Sequence, residues 1–221
     1  MRSYKWSLSC AATVFVVVAA TGCKGPSYSA AQAKQLRAES QVFVVQAQQS
    51  LERAEGLRLR GQHAQALAAL TGALDRSSAF LEIQLEEQAK FEHADALHRF
   101  FDLGDLLQVG CALFTKRAQV NYEWRAQAAF VVDYQQLLSD LRSVVRWHDG
   151  CDMMQNKLSD VDRSLSRRAQ ALMKKLDSYA FQCHSMLAEL YALGLQEELM
   201  RKHSKAAARI VRQRPDLDLR A

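Results

Sequence analysis

The positions of its two prolines constrain the fold of this chain more than any other feature. Pro26 and Pro215 are the only prolines in 221 residues, so the long stretch between them contains none. Proline interrupts helices because its ring removes a backbone hydrogen-bond donor and clashes with the preceding turn. In the same stretch apolar residues recur at spacings of three and four, and no sustained alternation of apolar and polar residues occurs. The sequence therefore predicts an all-α protein.

The helical pattern indicates four long stretches and one short one. The first predicted helix begins after Ser29 and ends at Gly61, and the second stretch covers 62–103 as one helix or, with a break near 75–78, as two. The third predicted helix covers 105–147. A tight turn follows at 148–150, because Asp-Gly readily adopts the backbone angles of a reversal. The fourth helix then ends at Gly194, and a short basic helix covers 197–212.

Apolar residues of the fourth predicted helix form a heptad seam, which is typical of coiled-coil packing. Helices of similar length joined by short turns pack most simply as antiparallel neighbours. We therefore expect an elongated antiparallel bundle of long helices with coiled-coil-like packing, in which each long helix reaches about 60 Å. The seam consists of Leu158, Leu165, Leu172, Tyr179, Met186 and Leu193, with Ala169, Leu176, Cys183 and Leu190 between them.

A local pattern supports an alternative arrangement. Gly61 precedes a segment in which Ala66 and Ala73 alternate with leucines, while Ala54 and Leu57 lie on the preceding predicted helix. Residues 48–75 therefore resemble one tetratricopeptide repeat, with Gly61 at the turn and the alanines at the small packing positions. The closing proline and a second copy are missing. The resemblance implies a tetratricopeptide-like array of helical hairpins as the alternative fold.

The N-terminus has the features of an export signal. Arg2 and Lys5 precede an apolar run at 8–19, which is too short to span a bilayer well. The following Ala20-Thr21-Gly22-Cys23 resembles the lipobox of bacterial lipoproteins, although leucine is usual where Ala20 stands. The resemblance implies removal of residues 1–22 and acylation of Cys23. An uncleaved anchor and an ordinary secretory signal remain the alternatives.

These segments divide the chain into four parts. We expect a signal peptide at 1–22, a lipidated tether at 23–28, a single helical domain at 29–214 and a C-terminal tail at 215–221. Lys24 follows the cysteine where enterobacterial lipoproteins retained in the inner membrane have aspartate. The lipoprotein resemblance therefore implies a protein anchored at the periplasmic face of the bacterial envelope, and favours the outer membrane over the inner.

Positive charge is concentrated near the C-terminus. The formal net charge of +5 includes two residues of the signal and is too small to indicate a nucleic-acid partner. A solvated helix face is one explanation for the C-terminal cations. The other is contact with an anionic surface, such as phospholipid headgroups or an acidic protein. The cations concerned are Arg201, Lys202, Lys205, Arg209, Arg212 and Arg214.

No sequence motif indicates catalysis or a cofactor. Nucleophile elbows, phosphate-binding glycine loops and dinucleotide fingerprints are all missing. His148, Cys151, Cys183 and His184 are zinc-type ligands, but an unbroken fourth helix would separate the two pairs by about 45 Å. We therefore expect a protein without a metal, a cofactor or enzymatic activity.

Three cysteines remain after the signal and the lipidation site are excluded. Export to an oxidising compartment allows one disulfide among Cys111, Cys151 and Cys183. If the third and fourth helices form an antiparallel hairpin around 148–150, Cys111 and Cys183 lie level across it. This register predicts a Cys111–Cys183 disulfide with Cys151 free, against the alternative of reduced core thiols.

These observations favour a membrane-anchored, non-enzymatic helical lipoprotein that binds a protein partner or serves as an assembly or structural factor of the cell envelope. The alternative is a bundle that binds a small ligand or lipid at the membrane surface. Aromatic residues such as Trp124, Phe130, Tyr134 and Trp147 would then line its interior.

Overall fold

The computed structural model describes residues 30–89, 101, 104–127, 134–158 and 163–217. All regular elements in these residues are helices and no strand occurs among them, so the all-α prediction is confirmed. The helices are α1 (Ala30–Leu59), α2 (His63–Ala89), α3 (Gly104–Gln127), α4 (Tyr134–Leu158), α5 (Arg163–Leu193) and α6 (Glu197–Gln213).

The helices pack as three antiparallel hairpins stacked side by side. Helices α1, α3 and α5 form a layer in which α3 contacts both of the others. Against this layer, α2 packs on α1 and α3, α4 packs on α3 and α5, and α6 packs on α5. In the described part of the chain the backbones of α2, α4 and α6 do not contact one another. The described helices therefore form an all-helical bundle, as expected, whose neighbours follow the order of the hairpins.

The hairpins are longer than those of a tetratricopeptide array. The first hairpin has its turn at Gly61, as predicted, and buries Ala54, Ala66 and Ala73 at the helix contact. However, α1 and α2 together cover residues 30–89, whereas a tetratricopeptide repeat has 34 residues. The longer helices also run without a break through 75–78.

The three helices of the layer run parallel to one another. His63, beside the first turn, stacks on Trp124 near the end of α3 with ring centroids 6.4 Å apart. Tyr122 donates a 2.7 Å hydrogen bond to Glu189 near the end of α5. The α1–α2 and α5–α6 turns therefore lie at one end of the stack, which we name the turn end. We name the opposite end, where α1, α3 and α5 begin, the base.

Both turns at the turn end have the same hydrogen-bond pattern. In the first, the amides of Gly61 and Gln62 donate to Arg58 and Leu57. In the second, the amides of Leu195 and Gln196 donate to Ala192 and Tyr191. These bonds define Schellman caps, whose first residue beyond the helix adopts a positive φ. Glycine fills that position in the first turn (φ 73°), but leucine fills it in the second (φ 57°).

The predicted reversal at 148–150 is wrong, because α4 runs through it without interruption. The predicted single helix over 105–147 is also wrong. Arg117 of α3 binds Asp140 of α4 through two 2.8 Å hydrogen bonds, although 23 residues of continuous helix would separate them by about 35 Å. The chain therefore reverses between α3 and α4, and again between α4 and α5.

These additional reversals replace the two long helices predicted over 105–147 and up to Gly194 by the shorter α3, α4 and α5. Among the described residues the longest helix is α5, with 31 residues and a length of about 46 Å. Leu158 ends α4, so the heptad seam of α5 begins beyond it. Within the seam, Ala169, Leu176, Cys183 and Leu190 are all buried. The buried face of α5 is wider than the seam, because α5 packs against three helices, α3, α4 and α6.

Polar contacts between helices fix their positions. The buried Arg117 reaches α4 through Asp140 and α2 through a 3.2 Å hydrogen bond to Thr71. Near the turn end, Arg58 of α1 donates to Glu123 of α3 at 2.8 Å. A buried ion pair is costly to disrupt because removing one partner leaves an uncompensated charge. These contacts therefore specify which helices are neighbours.

Candidate functional site

The predicted lipidation site lies outside the described residues. Cys23 and the segment before α1 are therefore not part of the structural description. Across residues 30–217, apart from the gaps given above, no helix combines the length and apolar character needed to cross a membrane.

The basic residues of α6 form a stripe on its outer side. His203, Ala207 and Ile210 are buried against α5. With 3.6 residues per turn, the exposed cations lie on the opposite face of the helix. Arg201 also pairs with Glu197 in the first turn. The stripe therefore contains five of the six predicted cations: Arg201, Lys202, Lys205, Arg209 and Arg212.

The sixth predicted cation, Arg214, belongs to a network between α4, α5 and the end of α6. It donates to one oxygen of Asp177 at 2.8 Å, and Nε2 of His148 lies 3.0 Å from the other. The hydrogen bond that Arg214 donates to Asp216 raises the pKa of Arg214 above its usual value. Asp149 Oδ1 lies 3.8 Å from Nδ1 of His148, too far for a hydrogen bond, and acts on it through its charge. Arg214 is therefore engaged within the protein.

A pair of buried histidines joins α5 to α6. The Nδ1 atoms of His184 and His203 are 2.8 Å apart, so one of the two rings donates a hydrogen bond to the other. The ring of His203 also stacks on Tyr191. Burial lowers the pKa of His184 to about 4, together with repulsion from His203 when that ring is protonated, and burial lowers the pKa of His203 as well. Both imidazoles are therefore neutral at pH 7. Nε2 of His184 has no hydrogen-bond partner among the residues that the structure describes.

The three cysteines are free, buried thiols. The Cys111–Cys183 disulfide is not formed in the structure, and the register argument for it is wrong because no turn occurs at 148–150. Cys183 instead lies 3.4 Å from the hydroxyl of Thr115, one helical turn from Cys111. Burial raises the pKa of Cys151 and Cys183 to about 12, and that of Cys111 well above its usual value. All three are therefore protonated and unreactive in the folded state.

The zinc-type residues are closer together than the sequence indicated. The expected separation of about 45 Å is wrong, because α4 folds back along α5 and places His148 beside Asp177. The described residues nevertheless contain no group of three or more histidine, cysteine, aspartate or glutamate side chains that could hold a metal ion.

Apolar side chains are exposed at the turn end. Leu59 is 71% exposed, Leu193 is 67% exposed and Leu195 is 92% exposed. The end of α3 lies between the two turns and contributes Trp124, which is half-buried. Two helix spacings of 8–10 Å place the turns about 20 Å apart, within the footprint of one standard protein interface.

A surface cavity of about 390 Å³ lies near the base, between the three helices of the layer. Its floor is apolar and includes Phe101 and Leu172, which are buried. The guanidinium of Arg168 lies over the Phe101 ring, 5.6 Å from its centroid. Lys175 donates a 2.8 Å hydrogen bond to Asp105, and both of these side chains are exposed. Arg37 of α1 completes the wall, whose described residues include three cations and one carboxylate.

Sequence analysis did not identify this cavity, the His148–Asp177 contact or the His184–His203 pair. Arg37, Phe101 and Arg168 are far apart in sequence and no motif connects them. They meet only because α1, α3 and α5 are neighbours, which was not expected for a hairpin centred on 148–150. Of the residues predicted to form an aromatic lining, Trp147 packs edge-on against Phe114 in the core and Trp124 stacks on His63. Phe130 lies outside the described residues.

No protein-family model matches this chain, and no curated protein or solved structure is significantly similar to it.

Proposed function

We propose that this chain is a lipid-anchored, non-enzymatic helical adaptor of the bacterial cell envelope that binds another protein at its turn end. The lipobox-like segment ending at Cys23 supports anchoring at the periplasmic face, with the outer membrane favoured over the inner. The stack of long helices supports a role in binding or assembly, because it presents side chains on rigid elements.

The backbone conformation of Leu195 is the main support for this proposal. A non-glycine residue with positive φ costs about 1–2 kcal/mol, and Gly61 shows that the same turn can be made without that cost. Strain of this kind is typical of functional positions. Leu195 also exposes almost its whole side chain to solvent, where an apolar group gains nothing for the fold. A partner that buries Leu195 accounts for both observations.

The surroundings of Leu195 fit a protein interface. Leu193 and Leu59 supply further apolar surface, and Trp124 belongs to the residue types enriched at interface centres. Exposed charges from Glu197 and Arg201 lie beside the turn. An apolar centre with a charged rim is the usual anatomy of such interfaces.

Site-specific photocrosslinking in intact cells tests the proposal. A photoreactive residue at Leu195 or Leu59 should give one adduct with the same partner, identified by mass spectrometry. The same residue at the exposed Gln170 near the base should not give it. Leu195→Glu should abolish the adduct at Leu59, and Leu195→Gly should weaken it while stabilising the fold by about 1 kcal/mol. Equal labelling from Gln170, or none from either leucine, would contradict the proposal.

A further inference from the structure

We propose that the His184–His203 pair is a pH-sensitive switch: acid separates α6 from α5 and thereby disrupts the turn that presents Leu195. The control of partner binding that follows rests on the interface proposed at the turn end. The separation of the two helices does not, because it concerns contacts within the chain.

The geometry of the pair requires one ring to donate a hydrogen bond and the other to accept it. The two Nδ1 atoms are 2.8 Å apart. When both rings are protonated, each Nδ1 becomes a donor and the hydrogen bond is lost. Two like charges then lie side by side in a buried site, where their repulsion is poorly screened. Full protonation is therefore incompatible with the observed contact.

The surroundings of His184 also disfavour its charged form. This residue is 4% exposed, and its Nε2 has no hydrogen-bond partner in the described part of the chain. An imidazolium carries a donor on each nitrogen, and a buried donor without an acceptor costs free energy. Water supplies both acceptors once the helices separate. Protonation of His184 therefore favours the separated state.

Charged groups of α4 and α6 surround the pair. Asp149 favours protonation of both rings, and the nearby cations oppose it. Helix α3 packs on a different face of α5, where Cys183 meets Thr115. Burial has the largest effect, and the pKa of His184 is about 4 as a result. The cations are Arg142 and His148 of α4 and Lys202 and Arg209 of α6.

Tyr191 connects the histidine pair to the Leu195 turn. Its ring stacks on His203 with centroids 5.5 Å apart, and its carbonyl oxygen accepts the 2.8 Å hydrogen bond from the amide of Gln196 that closes the turn. Arg142 donates to its hydroxyl at 2.8 Å. Separation of the helices also relieves the positive φ of Leu195, which costs free energy. The turn therefore opens when His203 leaves Tyr191.

Helix α6 is attached less firmly than the other helices. Among the described helices it packs on α5 alone, whereas α5 also packs on α3 and α4. Its buried residues are His203, Ala207 and Ile210, and one of these three is both large and apolar. Arg214 holds its far end through Asp177. Segments with few buried contacts open before the rest of a fold. Acid should therefore release α6 while the first hairpin stays packed.

Hydrogen–deuterium exchange with mass spectrometry, on the purified protein at pH 7.5, 6 and 4.5, tests the switch. After correction for intrinsic exchange rates, His184 alone should lower the protection of α6 about 70-fold between pH 7.5 and 4.5, because separation raises its pKa from about 4 to 6.5. Replacing both histidines by glutamine leaves two amides that can hydrogen-bond and cannot be protonated, and should reduce the change to less than about threefold. The matched control His63→Gln removes a buried histidine of the first hairpin and should preserve the wild-type response.

Imidazole ¹⁵N spectra of the wild-type protein provide a second measurement, which does not depend on the glutamine variant. At pH 7.5 one Nδ1 should carry a proton and the other should not. Both rings should become charged over the pH range in which α6 loses protection. The switch is overturned if both rings become charged while α6 stays protected, if the glutamine variant declines as the wild type does, or if all helices lose protection together.

Photocrosslinking from Leu195 in cell envelopes at pH 7.5 and 4.5 tests the control of the interface. The adduct should be lost at pH 4.5 in the wild-type protein and retained in the glutamine variant. An adduct of equal strength at both pH values in the wild type, or an equal loss in both proteins, would overturn this control. Absence of the adduct at both pH values would contradict the turn-end interface alone, because exchange in α6 is measured without a partner.

Discussion

Raising the pH should destabilise this protein through His148. Burial by itself lowers the pKa of this imidazole, but the carboxylates of Asp149 and Asp177 outweigh it and raise the pKa from 6.5 to about 9. Because the folded pKa exceeds the unfolded one, the stabilisation is complete below pH 6.5 and is lost as the pH rises through 9. The difference of about 2.5 pH units corresponds to about 3 kcal/mol in the free energy of unfolding.

Urea unfolding followed by circular dichroism at 222 nm, at intervals from pH 6 to pH 9.5, measures this loss. Burial raises the pKa of Cys151 to about 12 in the folded state, so ionisation of this thiol in the unfolded state also favours unfolding, at about pH 8.5 and above. The loss of stability between pH 6.5 and 8 is therefore the part that reports on His148. His148→Gln cannot take up a proton and should flatten the profile in this range, whatever its stability at pH 6. A wild-type stability that stays constant from pH 6.5 to 8, or a decline in this range that persists unchanged in His148→Gln, would refute the reasoning.

Three further predictions concern other parts of the molecule. Burial lowers the pKa of His184 to about 4, so stability should also decline as the pH falls from 6.5 towards 4, and His184→Gln should reduce that decline in the same urea series. Asp140→Ala leaves the guanidinium of Arg117 buried without this carboxylate and should lower the free energy of unfolding, measured with urea, by about 3–5 kcal/mol. Substitutions on the exposed face should lower it by less than about 1 kcal/mol. Metabolic labelling with an alkyne fatty acid should mark the wild-type protein and not Cys23→Ser, and label retained by that variant would exclude acylation at Cys23.

The first hairpin and the end of α5 could be predicted from the sequence because local signals mark them. Gly61 supplies the positive φ that the first turn requires, and the apolar spacing on both sides of it is regular. Gly194 similarly marks the end of α5, although the positive φ falls on the residue after it. Local chemistry and tertiary packing agree at these positions.

The wrong prediction of a reversal at 148–150 arose because local chemistry and tertiary packing disagree there. A glycine within a helix costs about 1 kcal/mol, and Gly150 lies within α4. Trp147, His148 and Cys151 are all buried around it, so packing against neighbouring helices offsets that cost. Sequence alone does not show this burial. The wrong reversal then propagated into the predicted disulfide register and the predicted helix lengths.

The cavity, the His148–Asp177 contact and the His184–His203 pair could not be predicted for a related reason. Each combines side chains from two or three helices, and the order in which the hairpins stack determines which helices are neighbours. The six C-terminal cations were visible in the sequence because they lie within one short helix or directly after it. Their separation into an outer stripe of five and an inward Arg214 follows from which face of α6 packs on α5.

The parallel direction of α1, α3 and α5 gives the molecule a defined reach. A chain held at Cys23 would enter the stack at the base, and the 30 residues of α1 would place the turn end about 45 Å further from the point of attachment. The helix would then act as a spacer that sets how far from the bilayer Leu195 can meet another surface. Lengthening all the helices of the stack by two turns would move that meeting point by about 11 Å, so in a lipid-anchored protein helix length would set the separation between membrane and partner.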